Sequence, residues 1–348
     1  MSARLVNVGV VGYGYWGPNL VRNFMALASD KARVKLVCDA RAERLAGVSR
    51  VYPSIGVTAD YDVLVRDPEI DLIAIATPVG SHFALAEKAL NAGKHVLVEK
   101  PLAGSVAEAE KLVTLARSIG RKLFVDHTFV FTPAVRKMRD LVRTGSMGEL
   151  LYYDSTRINL GIFQHDVDVV WDLVPHDLSI LDFLLGGMVP SSVSCTGVAH
   201  YGDLADLAYV TLYYPNGFIA HINVNWLAPV KIRQILLCGD KQMMVYDEHT
   251  VQEKVRIYDR GVRVTNSEDL YQKLVEYRDG DMFAPKLPNT EALHAEVEGI
   301  VDVIRGDQAE VVDGECGLRV VRTLEAITTS MNQQGRPVDV DAPATAAR

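Results

Sequence analysis

The sequence predicts an α/β protein of two units, the first built on a doubly wound parallel sheet. Short apolar runs rich in β-branched residues alternate with amphipathic segments over the first third of the chain. Gly12, Gly14 and Gly17 lie between the first such run and the first helical segment. Beyond about Asp126 the pattern changes to longer runs with period-two alternation. At 348 residues the chain is long enough for two packed cores.

The apolar runs are 5–11, 34–39, 71–76, 95–98 and 122–126. Nearly continuous apolarity at that length suits strands buried on both faces of a parallel sheet. Helical stretches at 17–28, 81–92 and 105–119 separate them; in the last, Val106, Ala109, Leu112, Val113 and Ala116 recur at helical spacing. Strand and helix in alternation imply right-handed crossovers. The first domain is expected to span 1–126.

A second domain is expected over 127–335. A helix at 133–144 ends in Gly145-Ser146-Met147-Gly148, a strand follows at 149–159, and a helix at 168–185 stops at Gly186-Gly187. In 218–226, Phe218, Ala220, Ile222, Val224 and Trp226 share one face while His221, Asn223 and Asn225 share the other. Tyr214-Pro215-Asn216-Gly217 is a turn signal, so 207–213 and 218–226 form a hairpin of an antiparallel sheet with one packed face. Residues 336–348 are expected to be a tail.

Composition excludes several classes of function. The net charge is −8 and no Lys/Arg run occurs, against a general nucleic-acid binder. Cys38, Cys195, Cys238 and Cys316 show no paired spacing, so neither a disulfide framework nor a structural zinc is expected. No apolar stretch approaches the ~20 residues of a spanning helix. The first residues run directly into a strand, leaving no room for a signal peptide. A cytoplasmic protein without nucleic-acid or membrane partners is expected.

Gly12-Tyr13-Gly14-Tyr15-Trp16-Gly17 follows the first strand and opens a helix. Gly12 permits the tight turn, Gly14 lets backbone approach a pyrophosphate, and Gly17 lets helix pack on strand. Asp39 ends the second strand, where a carboxylate bonds a ribose hydroxyl and repels a 2′-phosphate. NAD(H) is the expected cofactor. Arg41 and Arg44 keep NADP(H) as the less favoured alternative.

Glu99-Lys100-Pro101 ends the strand at 95–98, at the carboxyl end where open α/β sheets bind ligands. An ammonium there can stabilise negative charge growing on a reacting oxygen; an ordinary exposed lysine is the bland alternative. Further on, Asp168, Asp172 and His176 fall on one helical face, although Pro175 argues for a kink or a later first turn. A histidine with a neighbouring carboxylate suits proton transfer near neutral pH. Acidic residues placed for the helix dipole are one alternative. A metal site using His165, Asp166, Asp168, Asp172 and His176 is another, but zincin spacing is missing and no metal is expected.

Taken in order, these residues resemble the Gfo/Idh/MocA family of NAD(P)-dependent oxidoreductases over nearly the whole chain. The resemblance implies a Rossmann domain followed by an α/β domain with a large, open, mainly antiparallel sheet, which commonly forms a dimer or tetramer interface. It implies that Lys100, Asp172 and His176 are the catalytic set, and that Pro101 is often cis. The expected cofactor contacts are Gly12, Tyr13, Gly14, Tyr15, Trp16, Gly17, Asp39, Arg41, Thr77, Pro78, His82, Glu99 and Lys100. The family helix reads D-x-G-x-H-x-x-D; here Val174 replaces the glycine and Ser179 the second acid, leaving Asp177 or Asp182 at other spacings.

Residues 157–166 are similar to family members that act on nucleotide-linked sugars such as UDP-N-acetylglucosaminuronate, oxidised at C3. That implies substrate contacts from Lys100, His127, Arg157, Asn159, His165, Asp172 and His176, with Thr128 beside His127 and Arg157 clamping a carboxylate or phosphate. His176 takes the proton, Asp172 orients it and Lys100 stabilises the alkoxide, or Lys100 and His176 exchange roles. A ketoreductase or dehydrogenase of free sugars or cyclitols is one alternative. A non-catalytic NAD-binding sensor is the other.

Overall fold

Eleven elements alternate along the first part of the chain: β1 (Val6–Val11), α1 (Gly17–Ala26), β2 (Ala32–Cys38), α2 (Ala42–Val51), β3 (Gly56–Thr58), α3 (Tyr61–Arg66), β4 (Leu72–Ile75), α4 (His82–Asn91), β5 (His95–Glu99), α5 (Val106–Ser118) and β6 (Leu123–Asp126). The computed structural model describes residues 5–161, 163, 166–266 and 273–340, with backbone alone at 263–266 and 273–276. The six strands form one sheet in the order β3-β2-β1-β4-β5-β6. Every neighbouring pair is parallel. Order reverses between β1 and β4, so a crevice opens at the carboxyl end of β1, where doubly wound sheets bind dinucleotides.

The apolar runs become the central strands because both faces are covered: Val8, Val10, Leu72, Ala74, Val96 and Val98 are fully buried. The stretch 42–66 carries no such run. Its strand β3 has three residues and exposes Gly56 and Val57, so no apolar pattern marks it.

The chain continues through α6 (Pro133–Arg143), β7 (Leu150–Leu160), α7 (Val169–Leu184), β8 (Ser192–Val198), β9 (Leu207–Tyr213), β10 (Ile219–Asn225), β11 (Leu227–Gly239), β12 (Met243–Asp247), β13 (Val255–Asn266) and β14 (Lys273–Phe283). It closes with α8 (Ala292–Arg305), α9 (Gly314–Asn332) and β15 (Val338–Asp339). A nine-stranded sheet runs β14-β13-β12-β11-β7-β10-β9-β8-β15. β7 and β10 pair in parallel, and the hairpin β9–β10 is antiparallel as expected. Ala208, Val210, Leu212, Ala220, Ile222 and Val224 are fully buried on one face. Tyr209, Tyr213 and Ile219 are exposed on the other.

Two compact units result: Met1–Thr132 with Thr290–Arg322, and Pro133–Asn289 with Thr323–Arg348. The single boundary expected at 126/127 is therefore corrected. Helix α8 returns to the first unit, where Leu293, Val297, Ile300 and Val301 share a core with Val8 and Val10 of β1 and Phe24 of α1. An amphipathic pattern says that a helix packs, not which core receives it. The expected tail is also shortened: Val338 and Asp339 pair with β8, and Val340 is buried. Residues 341–348 lie outside the described residues.

Candidate functional site

The turn after β1 is shaped by what it cannot hold. Gly12 has φ +90°, and a Cβ there would lie 2.4 Å from the Ala76 carbonyl oxygen. A Cβ on Gly17 would lie 2.0 Å from the Gly12 carbonyl oxygen. Only glycine fits either position. Helix α1 begins at Gly17 with a proline in its first turn, which removes no needed hydrogen bond. Pro18 carries no amide N–H and the Asn19 amide donates to the Trp16 carbonyl at 2.8 Å, so the fit to a dinucleotide pyrophosphate rests on the close-packed glycine turn and the positive end of α1.

Asp39 is 5% exposed at the end of β2. It accepts from the Tyr13 amide at 2.6 Å, the Arg41 amide at 2.9 Å and Arg44 Nη1 at 3.3 Å. Burial pushes its carboxyl up, but these three donors outweigh burial and hold it below the usual range. Arg41 thus contributes its amide here, while Arg44 is the arginine paired with Asp39. Tyr15 is 88% exposed.

His82 is buried, and its two ring nitrogens lie 2.8 Å from the carbonyl oxygens of Pro101 and Thr77. It ties the turn after β4 to the cis Lys100–Pro101 peptide that follows β5. Its position is that of a bridge between two cofactor-side turns, while Pro78 is exposed.

Behind Lys100 lies a set of acids, of which sequence reasoning singled out Glu99 but missed the buried Asp126 and Glu296. Trp16 Nε1 donates to Asp126 Oδ2 at 2.6 Å, and Thr128 Oγ1 donates to Asp126 Oδ1 at 2.5 Å. Glu99 pairs in register with Asp126 across β5 and β6. Fully buried Glu296 comes from α8. Burial first, and the charge of Asp126 next, push Glu99 and Glu296 well above the ordinary carboxyl range. His127 is fully buried; burial and the Lys100 ammonium push it down to about 3, so it is neutral. The readable signal was Glu296 itself, a carboxyl on the same helical face as Leu293, Val297 and Ile300.

In the second unit, Asp168 caps α7, accepting from the Trp171 amide at 3.0 Å, so it precedes the helix. Asp172 and His176 are half-buried, one turn apart, and Pro175 sits within the helix. Trp226 Nε1 donates to Asp172 Oδ2 at 3.2 Å. Asp177, on the next face, accepts from Tyr153 at 2.9 Å, Ser155 at 2.7 Å and Arg157 Nε at 2.9 Å.

That network corrects one expectation. Arg157 is 4% exposed and its guanidinium is held by Asp177, because a buried charge requires a buried partner. It is not presented as a clamp for a substrate anion. Asp177 is likewise committed and does not stand in for the family's second acid. Asn159 is half-buried near the end of β7, and His165 lies outside the described residues. Among the described residues, no three His, Cys, Asp or Glu side chains group as metal ligands.

Comparison with known proteins adds to this geometry. A model described as "Oxidoreductase family, NAD-binding Rossmann fold" matches residues 6–127. Its companion, "Oxidoreductase family, C-terminal alpha/beta domain", matches residues 139–340. The UDP-N-acetylglucosamine 3-dehydrogenase of Acidithiobacillus ferrooxidans is 29% identical, covering 91% of this chain and 94% of its own. A solved structure of that enzyme aligns with a TM-score of 0.78 at 26% identity, covering 94% of this chain and 98% of the other. Inositol 2-dehydrogenase 2 of Saccharopolyspora erythraea is 30% identical over 63% of this chain and 66% of its own.

Proposed function

The chain belongs to the Gfo/Idh/MocA oxidoreductase family, and from that premise we propose that it uses NAD(H) to oxidise C3 of a nucleotide-linked sugar. The observation that carries this reading is similarity across both units to an enzyme named as a UDP-N-acetylglucosamine 3-dehydrogenase. NAD is favoured over NADP because Asp39 repels a 2′-phosphate and Arg44 is already paired with that carboxylate.

When bound, the oxidised nicotinamide supplies a hydride acceptor. His176 takes the hydroxyl proton as the carbinol C–H electron pair leaves, so one C=O forms and one C–H and one O–H break. Asp172, one helical turn earlier, supports the charged imidazole, and Trp226 fixes Asp172. Lys100 donates to the oxygen as negative charge grows on it. Neutral His127 adds no competing positive charge near Lys100.

The test is NADH formation with purified protein, NAD+ and a panel of nucleotide-linked sugars, free sugars and inositol. Turnover is expected with the nucleotide-linked class. Lys100→Met and His176→Ala are expected to lose about 10²–10⁴-fold in kcat while still binding NADH. Unchanged turnover in both variants would sink the catalytic assignment. The likeness to an inositol dehydrogenase keeps free cyclitols as the second reading, which the same panel separates.

A further inference from the structure

Trp226 has two surroundings. Its N–H reaches Asp172, and it also walls a recess of about 710 Å³ in the second unit, within the size range of small-molecule sites. Phe163 and Tyr201 form further walls, with Leu160, Leu204 and Asp203 beside them. The Phe163 ring centroid lies 5.4 Å from that of Trp226, tilted by 57°. It lies 6.1 Å from that of Tyr201, edge-on at 87°.

These rings are held by built features. The Gly161 amide donates to the Trp226 carbonyl at 3.1 Å. A Cβ on Gly161 would come within 3.1 Å of Trp226 Cδ1 and 2.8 Å of Asn159 Nδ2, so glycine lets the backbone at 161 lie close against the indole. On the other side, fully buried Asp206 accepts from the His200 amide at 2.7 Å, His200 Nδ1 at 2.7 Å and the Tyr201 amide at 3.1 Å. Burial pushes the Asp206 carboxyl up, but the His200 and Tyr201 donors hold it below its ordinary value. The Tyr201 ring remains 73% exposed above this anchored backbone, so a ligand face can cover it.

Charge selects the ligand. Among the described residues lining the recess, Asp203 alone is charged. A carboxylate there repels a diphosphate and accepts from a ring N–H. Aromatic walls favour a flat π face. The Trp226 indole touches both Asp172 and the recess, so the recess adjoins the Asp172 segment within the second unit.

We infer that this recess binds the nucleobase of the nucleotide-linked substrate, stacked on Phe163 and Tyr201 against the buried Trp226, with Asp203 accepting a ring N–H. The inference rests on the proposed substrate class and names the part of the chain that would recognise it.

The experiment titrates UMP into NADH-saturated protein by calorimetry, with inorganic diphosphate as the control ligand, for wild type, Phe163→Ala and Asp203→Asn. UMP is expected to bind wild type, and Phe163→Ala to weaken it about tenfold or more. Asp203→Asn is expected to weaken UMP while leaving diphosphate binding unchanged or improved. Unchanged melting temperatures in both variants verify folding, and Asp203→Asn, which preserves shape, answers any loss of structure in Phe163→Ala. No UMP binding, or binding indifferent to both substitutions, overturns the inference. UMP binding with the expected losses but no turnover of any nucleotide-linked sugar would retain the recess and remove the catalytic reading. Turnover of such sugars with a KM unmoved by either substitution would do the reverse.

Discussion

The indole N–H of Trp16 lies 2.6 Å from a carboxylate oxygen of Asp126, joining the glycine turn after β1 to the end of β6. A bond to a charged acceptor contributes about 1.5–3 kcal/mol. Trp16→Phe keeps the aromatic volume nearest to hand but removes the donor. We expect stability to fall by about that amount in urea denaturation. NADH affinity should fall with it, while kcat at saturating cofactor changes little, because the substitution loosens the turn rather than the reacting groups.

Glu296 should make stability fall as pH rises. Its carboxyl is raised in the folded protein, whereas in the unfolded chain it loses its proton near the ordinary 4.5. Above that pH the folded state therefore binds more protons, and stability declines until pH passes the folded value. One proton corresponds to about 1.4 kcal/mol per pH unit. Glu296→Gln keeps the shape without the proton. Denaturation midpoints at about pH 5, 6 and 7 should show a flatter decline in the variant; an identical slope would show that Glu296 is ionised when folded.

His127 acts in the acid range with the opposite slope. It is held neutral down to about 3 in the folded protein, against an ordinary 6.5. The unfolded chain therefore binds the extra proton between those values, and stability is lost as pH falls from 6.5 towards 3. His127→Asn should reduce that acid loss, read as a smaller drop in melting temperature between about pH 6.5 and 5.

Asp177→Ala should be among the most damaging single substitutions in the second unit. It strands the buried Arg157 guanidinium and removes the acceptor of Tyr153 and Ser155. Breaking a buried ion pair from one side costs about 3–5 kcal/mol. Poor expression or a melting temperature lowered by many degrees is expected. Leu in place of both Asp177 and Arg157 should recover part of the loss, since no charge is then left buried.

Asp39→Ala should shift cofactor preference. The change removes the carboxylate that repels a 2′-phosphate and releases Arg44 from its 3.3 Å pairing. We expect kcat/KM with NADP+ to rise relative to NAD+ by about tenfold or more, corresponding to about 1.4 kcal/mol or greater. An unchanged ratio would show that Asp39 does not read the ribose.

Much of the first unit was legible because its signals are local. A glycine required at φ +90° by a nearby carbonyl, five apolar runs and a terminal aspartate each act within a few residues of the chain. Lys100 follows directly on a strand, and Asp172 and His176 lie one turn apart within α7, so all three were singled out from local pattern alone. Arg157 was misread because its role depends on Asp177, twenty residues away and on a different element. Alternation along β7 shows that Arg157 shares a face with Tyr153 and Ser155, but not that an acid waits there.

By itself the sequence determined the doubly wound unit, the dinucleotide turn and the family, since backbone sterics and apolar periodicity are written in neighbouring residues. Tertiary structure alone decided where α8 packs, which acids gather behind Lys100, which arginine is already taken and which aromatic rings enclose a recess. Those outcomes depend on burial and on charges meeting across long stretches of chain, and desolvation energies exist only once the surrounding residues are in place.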